Sequence, residues 1–122
     1  MRLLGLDFGT KRVGVASTDE SGTFAIPRVV LPNNEDLLNE VIKLAGDAKI
    51  VIGESKDFKG QPNAILAEAQ KFAAALRGQG KVVVFHTEVL TSMEADRLQG
   101  SNEMNDASAA ALILKSYIDS NK

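Results

Sequence analysis

Residues 3–16 read LLGLDFGTKRVGVA, two apolar runs separated by a polar segment that contains Gly9. Two strand-forming runs around a glycine turn predict a β-hairpin. The first run ends in an acid, so the hairpin carries Asp7 at the tip of its first strand. On this pattern alone, a turn-forming role in Asp-Phe-Gly-Thr explains Asp7 as well as a chemical role does. A chemical role therefore requires other acids at the same edge of the sheet.

The size and composition of the chain indicate one ordinary globular domain. It has 122 residues, of which 44% are hydrophobic and 25% charged, and we expect a single domain over residues 1–122. The absence of cysteine excludes thiol catalysis and cysteine-ligated zinc, and it fits a cytoplasmic protein. No apolar run approaches the roughly 20 residues that span a bilayer, so we expect no membrane partner. A net charge of −2 argues mildly against a broad basic surface for nucleic acid.

The rest of the chain predicts an α/β fold. Pro27 interrupts the next apolar run, over residues 24–31, and favours an edge position for that third strand. Two short apolar runs, 49–53 and 81–85, are typical of buried parallel strands, and helical patterns alternate with them. We therefore predict a mixed five-stranded sheet, with three antiparallel N-terminal strands and then two parallel strands, flanked by helices on both faces. The predicted helices begin after Asn34 as N-cap, near Pro62, at the capping box of residues 91–94 and at about Asp106.

Acids follow three of the predicted strands. Asp7 ends the first, Glu54 follows the fourth and Glu88 lies just beyond the fifth. The carboxyl ends of parallel strands meet at one edge of a sheet, and Asp106 opens the apolar last helix. Each acid alone is explained as a turn former, a solvated loop residue or a partner of the helix dipole. Together they predict a site for Mg²⁺ or Mn²⁺, with two ions, that cleaves phosphodiesters.

Other polar residues near this edge have simpler explanations. His86, the only histidine, fits a residue at a strand end better than a general base. Most charged residues on such an edge are merely solvated, but basic ones beside a nuclease site can also contact phosphates. The candidate nucleic-acid contacts are Thr10, Lys11, Arg12, Lys56 and Lys59.

Four segments resemble the YqgF/RuvX family, the Holliday-junction-resolvase-like nucleases of pre-16S rRNA. The resemblance covers nearly the whole chain and implies an RNase H-like fold. By motif match, it implies that Asp7, Glu88 and Asp106 are the three acidic catalytic residues. It further implies 5′ maturation of small-subunit ribosomal RNA, or cleavage of branched or single-stranded nucleic acid. The segments are residues 4–16, the fourth strand at 50–53, the Asp-Glu-Arg-Leu-Thr/Ser-Thr-x-Glu-Ala-like 85–95, and the acidic last helix at 106–114.

The chain departs from the family pattern at three places. Thr87-Glu88-Val89 stands where the family has Asp-Glu-Arg, and residues 98–105 look short and carry no lysine or arginine. Glu54 stands where the family has an apolar residue. The related RuvC resolvases have a glutamate near the end of the fourth strand, so we hypothesise that Glu54 compensates as a metal ligand.

Two other classes of function remain open on the sequence. The lost arginine and the short segment favour a non-catalytic RNA- or protein-binding module with the same fold. Residues 7–10 also match the Asp-x-Gly-Thr phosphate loop of actin and the sugar kinases, although the chain is too short for their two lobes. The sequence allows either a monomer or a homodimer.

Overall fold

The computed structural model describes residues 2–9, 11–54, 64–87 and 104–120, and for residues 54, 64–66, 87 and 104–106 it describes the backbone alone. The segments predicted as a loop at 55–60, a helix start at Pro62 and a short helix over 91–98 lie outside the described residues. The elements are β1 (Leu3–Phe8), β2 (Arg12–Thr18), β3 (Ala25–Pro32), α1 (Leu37–Ala45), β4 (Lys49–Glu54), α2 (Ala64–Gly78), β5 (Val83–Thr87) and α3 (Met104–Ser120).

The strands form one five-stranded sheet in the order β3-β2-β1-β4-β5. The β1–β2 and β2–β3 pairs are antiparallel, whereas β1–β4 and β4–β5 are parallel. The predicted mixed sheet is thus confirmed. β3 is an edge strand, as Pro27 predicts, because a proline there removes no hydrogen bond from an inner ladder.

Helices cover both faces of the sheet, as predicted. Alternate side chains of a strand point to opposite faces, so β1 and β4 contribute to two cores, which explains their nearly continuous apolar sequences. The larger core lies under α1 and α2 and the smaller one under α3. The larger contains Leu4, Leu6, Val13, Ile50 and Ile52, and the smaller contains Leu3, Val51, Ala110, Ile113 and Leu114.

Some element boundaries differ from the predictions. β5 begins two residues later than the apolar run, because the chain is still closing the turn after α2, where the Lys81 N–H donates to the Leu76 carbonyl at 3.1 Å. The N-cap of α1 is Asp36, which makes no capping hydrogen bond with its side chain. The predicted cap, Asn34, instead accepts the Asp36 N–H at 3.0 Å through its side-chain oxygen.

Arg2 closes the C-terminal end of α1. Its Nη2 donates to the carbonyls of Leu44 at 2.8 Å and Ala45 at 2.5 Å, which have no partner within the helix. We expect Arg2→Met to lower the free energy of unfolding by about 1–2 kcal/mol, because the charged donor is lost from a partly buried helix end. Denaturant unfolding measures the loss. Lys43→Met is the control, because the exposed Lys43–Glu40 pair at 4.0 Å contributes little.

The turn between β2 and β3 makes stability depend on pH through Asp19. Hydrogen bonds from the Thr23 backbone N–H and then from the Ser21 hydroxyl lower the pKa of Asp19 below its ordinary value of 3.8. A lowered folded-state pKa stabilises the fold above the unfolded-state pKa, and that contribution is lost as pH falls through the folded-state pKa. Asp19→Asn should therefore lower the melting temperature at neutral pH and have progressively less effect in acid. Melting curves over this pH range, with exposed Asp47→Asn as control, test the prediction; an Asp19→Asn effect independent of pH would contradict it.

Candidate active site

Asp7 lies next to the last residue of β1, at the carboxyl end of the parallel part of the sheet. It is partly buried and pairs with Gly14 of β2. Along the strand it shares a face with Leu3 and Gly5, which is the face that α3 covers. The strand alternation therefore places Asp7 on the α3 side of the sheet.

Two glycines let α3 approach the sheet closely. A Cβ atom on Gly5 would lie 2.5 Å from Leu114 Cγ and 3.0 Å from the Ala110 carbonyl oxygen. A Cβ atom on Gly53 of β4 would overlap Ile113, with Cγ1 at 2.9 Å. A glycine inside a strand signals such a close approach, so the sequence contained this information although it does not identify the partner.

The direction of α3 follows from its contacts at both ends. Ala110 and Leu114 lie over Gly5, in the middle of β1. Further along the helix, Ile118 lines a cavity with Ala25. Ala25 pairs with Thr18, whose hydroxyl accepts the Leu3 N–H at 2.7 Å, so this cavity lies near the amino end of β1. α3 therefore runs antiparallel to β1.

This direction brings the Asp106 position to the end of the sheet that carries Asp7. Asp106 precedes Ala110 by four residues, which is one helical turn toward the carboxyl end of β1. Asp7 lies two residues beyond Gly5 in the same direction. Residues that are 99 positions apart in the chain thus belong to neighbouring positions of the fold.

Glu54 occupies a different register position from Asp7. The β1–β4 ladder pairs Leu6 with Ile52, so its next row aligns Asp7 with Gly53, and the β4–β5 ladder continues that row to His86. Glu54 pairs instead with Thr87, and it is the last residue of β4 rather than the residue after it. The Glu54 position is two residues beyond Ile52, so in the regular alternation of β4 the two positions fall on the same face of the sheet. Ile52 belongs to the core under α1 and α2. The hypothesis that Glu54 shares an ion with Asp7 stays a prediction, because only the backbone of Glu54 is described.

His86 is a contact residue between β5 and α3. Its Nε2 lies 2.8 Å from Ser116 Oγ, and its ring meets the Tyr117 ring edge-on at 5.7 Å. Lys49 Nζ lies 5.3 Å from the centre of the same tyrosine ring. His86 lies inside β5 rather than after it, and these contacts give it the structural role that the sequence favoured.

Asn33, the residue after β3, contacts the hairpin turn beside Asp7. The Gly9 N–H donates to the Arg12 carbonyl at 3.0 Å, and Asn33 Nδ2 donates to the Gly9 carbonyl at 2.7 Å. Lys11 and Arg12 are exposed at this turn. The sequence pattern did not single out Asn33. The other candidate nucleic-acid contacts, Thr10, Lys56 and Lys59, lie outside the described residues.

The predicted metal ligands are all carboxylates, which are the hard oxygen donors that Mg²⁺ and Mn²⁺ prefer. Of the four, only Asp7 has a described side chain, because Glu88 lies outside the described residues and Glu54 and Asp106 are described by backbone alone. Within the part of the chain that is described, no three histidine or acidic side chains form a group that could hold a metal. The donor chemistry fits such an ion, and the backbone brings two of its predicted positions to one end of the sheet.

Comparisons with known proteins agree on one family. The model of a family described as RuvX, Holliday junction resolvase, matches residues 1–120. A relative named "Putative pre-16S rRNA nuclease" from Desulforudis audaxviator is 37% identical, with 100% of this chain and 96% of the relative covered. One of the same name from Bacillus cytotoxicus is 35% identical, with 98% and 99% covered. The first alignment runs over 136 positions against 122 residues here, so that relative has insertions that this chain lacks.

Solved structures give the fold. The chain resembles RuvC of Thermus thermophilus with a TM-score of 0.60 at 12% identity, over 99% of this chain and 96% of that one. It also resembles the T. thermophilus RuvC that is in complex with a Holliday junction substrate, with a TM-score of 0.58 at 14% identity and the same coverage. The predicted RNase H-like fold is confirmed. No helix among the described residues is sufficiently long and apolar to span a membrane.

Proposed function

Since this chain belongs to the RuvX family, we propose that it is a divalent-metal-dependent nuclease that acts in the 5′ maturation of pre-16S rRNA. The names of its relatives support the RNA substrate. Cleavage of branched or single-stranded nucleic acid is the wider activity that the same chemistry allows. A role in ribosome assembly would place the protein in the cytoplasm.

We assign Asp7, Glu88 and Asp106 as the residues that hold Mg²⁺ or Mn²⁺. Two such ions would activate a water molecule and neutralise charge on the leaving oxygen of the phosphodiester. Asp7 is positioned by a central strand and Asp106 by the first turn of a helix packed on that strand, and rigid elements of this kind hold ligands better than loops do. Thr10, Lys11, Arg12, Lys56 and Lys59 are proposed to contact the phosphates of the substrate.

The antiparallel packing of α3 on β1 is the observation that supports this proposal, because it puts the backbone positions of Asp7 and Asp106 at one end of the sheet. The test is a cleavage assay with Mg²⁺, Mn²⁺ or EDTA on RNA with a 5′ precursor segment, single-stranded DNA and a four-way junction. We expect metal-dependent cleavage, with the precursor RNA as the best substrate. Tight RNA binding with no cleavage under any of these conditions would favour the non-catalytic binding module.

The register of β4 predicts that Glu54 is dispensable for catalysis. The Glu54 position lies one residue beyond the row that aligns Asp7 with Gly53, so we leave Glu54 out of the metal site. We expect Glu54→Gln to keep the cleavage rate within about threefold of the wild type, whereas loss of a ligand costs several kcal/mol of transition-state stabilisation. Metal-dependent rates of the two proteins measure this. A loss of 100-fold or more would restore Glu54 as a ligand.

A further inference from the structure

A cavity of about 340 Å³ lies between the sheet and the C-terminal end of α1, on the face opposite to the candidate active site. Arg2, Ser17 and Arg28 supply its polar groups and aliphatic side chains supply the rest, and none of the described residues that line it is acidic. Within the described part of the chain, neither arginine forms an ion pair. The two cations face one cavity and repel each other, and only the partial negative charge of the α1 C-terminus offsets Arg2, so an anion would stabilise them.

A β-bulge puts Arg28 at this cavity. The β2–β3 ladder pairs Val15 with Val29 but Ala16 with Pro27, so Arg28 is the extra residue with no partner on β2. An extra residue of this kind re-aims a side chain relative to the regular alternation of the strand. Arg28 Nε donates to Ser17 Oγ at 2.6 Å, which orients the planar guanidinium and leaves its terminal N–H groups for another acceptor.

Arg2 provides the second cation. Its Nη2 is committed to the end of α1, at the carbonyls of Leu44 and Ala45, while the side chain lines the same cavity as Arg28. Those helix contacts hold its guanidinium in place. Ser17, whose hydroxyl lies against Arg28, is only 5% exposed. The cavity therefore combines a fixed cation, a buried hydroxyl and a second cation held by that hydroxyl.

We propose that this cavity binds a phosphate group of the nucleic-acid strand, remote from the bond that is cut. Guanidinium groups bind phosphate through paired, charge-assisted hydrogen bonds, and a cavity of this volume also has room for part of the attached nucleoside. The identification of the phosphate as part of a polynucleotide rests on the proposed nuclease function. Arg28 lies on the edge strand β3, so a strand could pass around this edge from one face of the sheet to the other.

The first arm of the test measures binding of a 20-nucleotide single-stranded RNA by fluorescence anisotropy in EDTA, at several salt concentrations. We expect Arg28→Gln to weaken binding about tenfold and to make the slope of log Kd against log salt shallower by about one. Lys71→Gln, which removes one exposed positive charge from α2, should change Kd less than twofold. Arg28→Lys, which keeps the charge but not the planar fork, should fall between Arg28→Gln and the wild type.

The second arm titrates inorganic phosphate and follows the backbone amide signals of Arg2, Ser17 and Arg28 by NMR. Shifts at these residues below about 50 mM phosphate, together with displacement by RNA, would show the phosphate site and its use by a polynucleotide. Shifts without displacement would assign the site to free phosphate. Equal RNA affinity for Arg28→Gln and wild type, with no phosphate shifts, would overturn the proposal and leave Arg28 as a charge that protects the sheet edge.

Melting curves accompany each variant, and the amide titration uses the wild-type chain, so an unfolded variant cannot be mistaken for lost binding. Because both arms omit metal, their outcome is independent of whether the chain cleaves RNA. Failure of the nuclease proposal would appear instead as no metal-dependent cleavage by the wild type.

Discussion

Asp7→Asn is expected to reduce metal-dependent cleavage by a factor of about 100 or more, because a neutral amide replaces a proposed ligand whose loss costs several kcal/mol. The same variant should fold normally. In the proposed site Asp7 would lie near other acids, so removal of its charge would relieve repulsion in the metal-free protein. We therefore expect the melting temperature in EDTA to equal or exceed that of the wild type.

A readout that does not involve cleavage separates metal binding from catalysis. A ligand that binds only the folded state stabilises it by about 1.4 kcal/mol at ten times its Kd. Mn²⁺ should therefore raise the melting temperature of the wild type, and Asp7→Asn should lose this increase. Asp47→Asn makes the same substitution at an exposed position before β4, at the opposite end of the sheet, and should keep both the Mn²⁺ effect and the activity. Cleavage by Asp7→Asn at the wild-type rate would refute the assignment of the site.

Gly5→Ala is expected to cause a large loss of stability, because it adds a methyl group where α3 packs on β1. The new methyl group would lie 3.0 Å from the Ala110 carbonyl oxygen, which cannot move unless α3 moves, and 2.5 Å from Leu114 Cγ. Overpacking of a core costs about 1–3 kcal/mol. Each kcal/mol lowers the melting temperature of a domain this size by about 3–5 °C. Thermal and denaturant unfolding give the two values.

Substitutions at two other glycines serve as comparisons for Gly5→Ala. Gly53→Ala should cost less than Gly5→Ala, because its nearest neighbours are side-chain atoms of Ile113, which can rotate away. Gly78→Ala should be neutral or stabilising by up to about 1 kcal/mol, because nothing lies within 4 Å and alanine favours the helix. If Gly5→Ala were as stable as Gly78→Ala, the close packing of α3 on β1 would be wrong.

Gly5→Ala should also slow cleavage although every proposed ligand is intact. The displaced helix would move the Asp106 position relative to Asp7, and a misplacement of about 1 Å can cost on the order of 100-fold in rate. A cleavage rate that falls in proportion to the unfolded fraction alone would show that the two positions are not coupled.

The order of the strands along the chain, and their antiparallel or parallel pairing, could be predicted from the sequence because the patterns that indicate them are local. Each apolar run of β1, β4 and β5 is read within a few residues, and helices between parallel strands require crossovers. Pro27 indicated the edge strand for the same reason, since a proline lacks the N–H group that would bond to a neighbouring strand at that position. The family could also be recognised from the motif around Asp7, because the residues of that motif are contiguous in the sequence.

Strand register and helix packing could not be predicted from local sequence patterns. Whether Glu54 or Gly53 stands in line with Asp7 depends on a shift of one residue, and such a shift moves a side chain to the other face of the sheet. The β-bulge that places Arg28 at the same cavity as Arg2 is likewise a property of the pairing between β2 and β3. Local sequence pattern therefore determined which elements form and which acids are candidates. Only the tertiary structure decided the strand register and the packing of α3 on β1, because pairing and packing join residues that are distant in the chain.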